Sequence, residues 1–217
     1  MSSGWPIGAS KTGLLIASKC GQWGIGVDIT KINGVGSLSA ALYYAITMHA
    51  NTRFLYREDT PWGTIVTPTA AYAGADEAGV SFYSSTDVLR YRQFLLFNIP
   101  AGITITDAFL YLPSQFQQNL SAVNYYCNFY INPTCSNPPV AADWANVNTG
   151  TLFYQDLLAA GNSGYGVSLN IPITPSQLTP GAMNKISMGL DCELANTNPG
   201  VTVQSVFFIN PNLFLRW

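Results

Sequence analysis

The hydrophobic pattern is clearest over residues 92–112, where two apolar runs flank a short polar break. Arg92-Gln93-Phe94-Leu95-Leu96-Phe97 is dense in residues that suit a pleated surface, and residues 103–112 form a second such run. Between them, Asn98-Ile99-Pro100-Ala101-Gly102 offers a proline-fixed φ and a glycine free to take φ > 0. The segment therefore predicts strand, tight turn, strand. Ile105, Ala108, Leu110 and Leu112 form a candidate buried row, with Asp107, Phe109 and Tyr111 facing out.

Further strands are predicted at residues 64–69, 80–83, 87–97, 167–173, 185–193, 201–209 and 213–217, and at 125–131 with Tyr126, Asn128 and Tyr130 on one face. Residues 37–56 fit either a helix with Leu42, Ala45, Ile46 and His49 on one face or a strand alternating Leu42, Tyr44, Ile46 and Met48. Tyr43, Tyr44 and Thr47 favour the strand. Helical turns are expected only at residues 155–160 and after Thr174, with Pro175 at the first helical position. The sum is an all-β sandwich over residues 60–217.

Residues 1–59 differ in texture. Eight glycines fall within the first 36 residues, interleaved with Trp5, Leu14, Leu15, Ile16 and Trp23. Ordering so much glycine costs backbone entropy, yet the apolar residues need a covering surface. This region reads as a docking arm for a neighbouring subunit, or as chain packed on its own sandwich.

Composition narrows the function. Only 9% of the 217 residues are charged, against roughly 25% in an average soluble domain. The net charge is −2, and no basic residue occurs between Arg92 and Lys185, so there is no electrostatic footprint for nucleic acid. No apolar run approaches the ~18 residues of a membrane span. The run at residues 13–17 is too short for a secretory signal. An extracellular type of composition without an export signal fits a protein released by cell lysis, the preferred reading, and also fits a fragment of something larger. Cys20, Cys127, Cys135 and Cys192 have no metal-type spacing and the chain has one histidine, which argues against zinc. Cys127 and Cys135 flank a possible hairpin end, where a disulfide is conceivable.

The segment Phe97-Asn98-Ile99-Pro100, Ala101-Gly102-Ile103-Thr104-Ile105-Thr106-Asp107-Ala108 resembles the jelly-roll β-sandwich modules of the DNRLRE type. The resemblance continues through residues 185–191 and 211–217 and covers roughly residues 79–217. Similar modules occur in secreted bacterial surface proteins and bacteriophage virions. The resemblance implies a jelly-roll fold and a non-enzymatic virion role, as a capsid decoration or cement protein or a tail-fibre component. The implied partners are further copies of the chain, with a trimer as one symmetry, and a major capsid or tail protein. The implied location is the virion, assembled in the host cytoplasm.

Candidate chemistry is sparse. His49 lies in Met48-His49-Ala50-Asn51, and no serine-nucleophile elbow occurs, so a hydrolytic triad is not expected. The pairs Glu58-Asp59 and Asp76-Glu77 point to opposite faces if on strands. Asp76 and Glu77 are nevertheless the best calcium candidates, with Asp191 and Glu193 second. No other cofactor is expected. A glycan site would stack sugars on exposed aromatics, and Trp62, Trp144, Tyr154 and Tyr165 are the candidates. The competing reading tucks Trp62 and Trp144 under their loops as satellite cores.

Overall fold

The computed structural model of the protein describes residues 42–58, 69–72, 77–83, 89–113, 116–165, 168–195, 203–209 and 211–217. The chain divides into two compact units, Met1–Tyr44 and Ala45–Trp217. Trp5, Leu14, Leu15, Ile16, Trp23, Trp62 and Asp76 lie outside the described residues. Residues 45–58, read from sequence as part of the arm, belong to the second unit.

The first strands are β1 (Tyr44–Thr47), β2 (Arg53–Glu58), β3 (Thr69–Tyr72), β4 (Glu77–Tyr83) and β5 (Leu89–Asn98). There follow β6 (Asp107–Leu112), β7 (Phe116–Asn119), β8 (Tyr125–Ile131), β9 (Thr151–Leu158), β10 (Asn162–Tyr165), β11 (Leu169–Pro172) and β12 (Met183–Leu190). A one-turn helix, α1 (Asp191–Leu194), precedes β13 (Val203–Ile209) and β14 (Asn212–Arg216). A small sheet has the order β1-β14-β6-β11; a large one runs β10-β7-β13-β4-β5-β12-β8-β9, with β2 and β3 joined through β5. Every pairing with a described register is antiparallel. The protein is an all-β sandwich.

The main core lies where both sheets turn their apolar faces inward. The small sheet contributes Ala108, Leu110 and Leu112 of β6, Ile171 of β11 and Leu213 and Leu215 of β14. The large sheet contributes Leu95, Phe97, Cys127, Phe129, Ile131, Ile186, Met188 and Leu190. Phe208 of β13 stands 6.2 Å from Phe129 of β8, although four strand pairings separate the two along the sheet. The large sheet therefore curls, and its ends meet. Asn119 of β7 donates from Nδ2 to the Leu158 carbonyl at 2.8 Å, and Gln117 donates from Nε2 to Asp156 Oδ2.

A second cluster lies on the opposite face of the large sheet: Leu55, Phe94, Leu96, Cys135, Trp144 and Val147. β5 is thus apolar on both faces, as a strand covered on both sides must be. The cover is the excursion of residues 132–150 between β8 and β9.

Several expectations require correction. β5 and β6 do not pair as a hairpin; β5 belongs to the large sheet and β6 to the small one. Gly102 does take φ +76°, but the turn carries the chain across the sandwich. The reason is that both strands are central and take their partners from elsewhere in the chain. Residues 155–160 hold no helix; the strand β9 runs to Leu158, paired with β8. Residues 185–193 are strand only to Leu190, after which α1 turns back. Cys127, Cys135 and Cys192 are free thiols. Cys127 and Cys135 are buried on opposite faces of the large sheet, so β8 itself separates them.

Candidate functional site

The outer face of the large sheet has two halves. Over β5 and β12 it is covered, and the fastening is ionic. Strand alternation sends Arg90, Arg92, Phe94 and Leu96 outward together, and α1 brings Glu193 over the two arginines. Glu193 is fully buried and accepts from Arg90 Nε at 2.8 Å, Arg92 Nε at 2.8 Å and Arg92 Nη2 at 3.0 Å. Arg92 also donates to the Trp144 carbonyl and lies 4.4 Å above the Trp144 ring centroid, while Arg57 stands 5.1 Å from it. Ser187 and Lys185 of β12 donate to the carbonyls of Val147 and Cys135 in the excursion. Asp143 accepts from Ser136 N at 3.1 Å and Val140 N at 2.8 Å, which shapes the excursion from within.

Over β9 and the start of β8 the same face is open among the described residues: Tyr126, Leu152, Gln155 and Leu157 are exposed, whereas Asn128 and Tyr130 further along β8 are buried. Cys127, Phe129 and Ile131 point into the core, so Tyr126, Asn128 and Tyr130 point out, as their alternation predicts. Their cross-strand neighbours are Leu157, Gln155 and Leu152. A bulge lies here: Phe129 pairs with Tyr154 and Tyr130 with Leu152, leaving Phe153 as an extra residue. Phe153 and Tyr154 therefore both turn inward against Phe129, at 6.5 and 5.8 Å between ring centroids. Leu152 and Leu157 are 44% and 46% exposed and Tyr126 is 40% exposed. Gln155 donates from Nε2 to Asn128 Oδ1 at 2.9 Å. The β7–β8 loop also exposes Leu120 and Val123. None of these side chains carries a charge.

The sequence candidates fare unevenly. Trp144 is 7% exposed with Arg92 and Arg57 against its ring, so it packs as a satellite core. Tyr154 packs against the core through Phe129. Tyr165 and Glu77 are strand residues of β10 and β4 by backbone; their side chains lie outside the described set. Among the described residues no group of three or more His, Cys, Asp or Glu side chains gathers as a metal site. Glu193 is committed to its arginines, and Asp191 accepts from the backbone of Tyr126 at 3.0 Å and Cys192 at 2.7 Å. His49 accepts from Asn51 N–H through Nδ1 at 3.1 Å, a turn-closing bond.

The thiols are held protonated. Burial raises Cys135 to about 11 despite nearby Lys185, and raises Cys192 to about 12 with Asp191 adding to it. Burial, with Asp156 and Asp191, lifts Cys127 well above its usual value. None has the depressed value of an activated nucleophile. Sequence reading missed Leu152, Gln155 and Leu157, because a helix was expected over residues 155–160 and a bulge leaves no local signature.

No family model matches this chain, and no curated protein matches its sequence.

Proposed function

We propose that this chain is a non-enzymatic structural protein of a bacteriophage virion, a capsid decoration or cement protein or a tail-fibre component, that works through subunit contacts. The observation that carries the reading is the bare half of the large sheet. Exposed Leu152 and Leu157 lie on β9, with Leu157 opposite exposed Tyr126 of β8, and the loop before β8 exposes Leu120 and Val123; no charged side chain is among them. Burial of such surface is the main favourable term in association, and depletion of charge marks the centre of protein interfaces. The low charge of the whole chain and the resemblance over residues 79–217 point the same way. The Gly-rich first 36 residues, with Trp5, Leu14, Leu15, Ile16 and Trp23, fit a docking arm in this scheme.

A carbohydrate-binding module is the second reading, favoured by the Asn128–Gln155 amide pair beside Tyr126. It is the weaker one. Sugars stack on aromatic faces, and four of the five exposed apolar side chains here are aliphatic.

Light scattering on a size-exclusion column, run on the full chain and on a chain lacking residues 1–36, tests the first reading. An oligomer is expected for the full chain, with a smaller species without the arm. A monomeric full chain whose sugar binding is lost on Tyr126→Ala would reverse the order of the two readings.

A further inference from the structure

We infer that the outer row of β9 is a two-fold contact with a second copy of this chain; this rests on the assembly reading and names its partner. The row reads Leu152, Gln155, Leu157, because the bulge has removed Phe153 and Tyr154 to the inside. On the adjoining strand β8 only Tyr126 is exposed, and Asn128 and Tyr130 are buried, so the contact row is that of β9 alone. It has the same chemistry in either direction: apolar, amide, apolar.

A two-fold interface requires that wherever residue i meets residue j, residue j meets residue i. A palindromic row satisfies this with its own image. With the axis at Gln155, Leu152 of each copy meets Leu157 of the other, and the two carboxamides meet on the axis. A carboxamide carries both donors and an acceptor, so identical ones pair with each other. Gln155 uses one N–H on Asn128 Oδ1, which leaves its second N–H and its Oε1 for the partner.

Charge disfavours two other occupants. Residues 93–184 contain only Asp107, Asp143 and Asp156 as charged residues. Asp143 and Asp156 are buried, and Asp107 is on β6 of the small sheet. A charged partner would leave desolvated charge without a counter-ion, and an anionic membrane would find no lysine or arginine among the described residues of this face. A second copy meets neither cost.

The test is light scattering across a concentration series on the full-length protein. The wild type is expected to gain mass by a two-fold step. Gln155→Glu is nearly isosteric and places two carboxylates on the axis; Gln155→Lys places two ammonium groups there. Each is expected to weaken the step by ~10-fold or more, while an equimolar mixture of the two variants restores it. Thermal melts matching the wild type establish that both variants fold. A wild-type oligomer indifferent to both variants overturns this contact and leaves the assembly reading standing. Variants that dissociate and are not restored by mixing overturn the self-contact as well. A wild type that is monomeric at every concentration removes this contact and self-assembly together.

Discussion

The two halves of the large sheet's outer face solve the same problem in opposite ways. Over β5 and β12, the chain covers its own strands with the excursion of residues 132–150 and fastens it through a buried carboxylate shared by two buried guanidinium groups. Over β8 and β9, it leaves Leu152, Leu157 and Tyr126 uncovered and places no charge there. On this sheet face, Arg90, Arg92 and Glu193 are buried under the covered half, while the exposed side chains Tyr126, Leu152, Gln155 and Leu157 carry no charge, where a charge would oppose burial against another surface. A face that the fold intended for water would be expected to show the reverse.

The largest effect should come from breaking the fastening of the covered half. Glu193→Gln leaves Arg90 and Arg92 buried without their counter-charge, and removal of one partner from a buried ionic cluster typically costs about 3–5 kcal/mol. Denaturant unfolding monitored by Trp fluorescence should show a lower midpoint, since Trp144 sits against Arg92. A loss under about 1 kcal/mol would mean that apolar packing of Phe94, Leu96 and Val147, and not the ionic cluster, holds the excursion.

A smaller effect is expected at Gly150, where the excursion rejoins the sheet. A Cβ built there would lie 2.4 Å from the Ile131 carbonyl oxygen and 2.9 Å from Pro133 N, both main-chain atoms with no rotamer to yield. Gly150→Ala is therefore expected to destabilise by about 1–3 kcal/mol as the two ends of the excursion are forced apart. The same melts measure it. Wild-type stability in this variant would show that the junction relaxes freely.

How far the sequence foretold this division depends on the range of the forces involved. The inward row of β6 was legible, because alternation on one strand is a local signal. So was the turn at Thr174, where Pro175 opens a short 3-10 helix capped as its sequence suggests. On β8 alternation separates the two faces, but Asn128 and Tyr130 on the outer one are buried too, which no local signal foretells. The sheet partners of β5 and β6 were not legible, since long-range pairing leaves no trace in the turn that joins two strands. Nor was Glu193. Its arginines lie 101 and 103 residues away in sequence, and only the fold brings them together. Trp144 illustrates the limit on the functional side. A loop tryptophan between Asp143 and Ala145 reads equally as a binding platform or a plug, and only the two arginines on its ring decide for the plug.

The smallest effect on stability, and the sharpest on the comparison, is expected on the bare half. Leu152→Ser and Leu157→Ser remove side chains that are already 44% and 46% exposed, so little burial is lost within one chain. Surface substitutions of this kind usually stay within about 0.5 kcal/mol. A functional interface makes a contrary demand: exposed leucine is kept only because something covers it. The pair of substitutions should therefore leave the melt unchanged and abolish the concentration-dependent gain in mass. If the melt falls by several kcal/mol instead, these leucines are part of the fold's own packing, and the bare half is covered within a single chain.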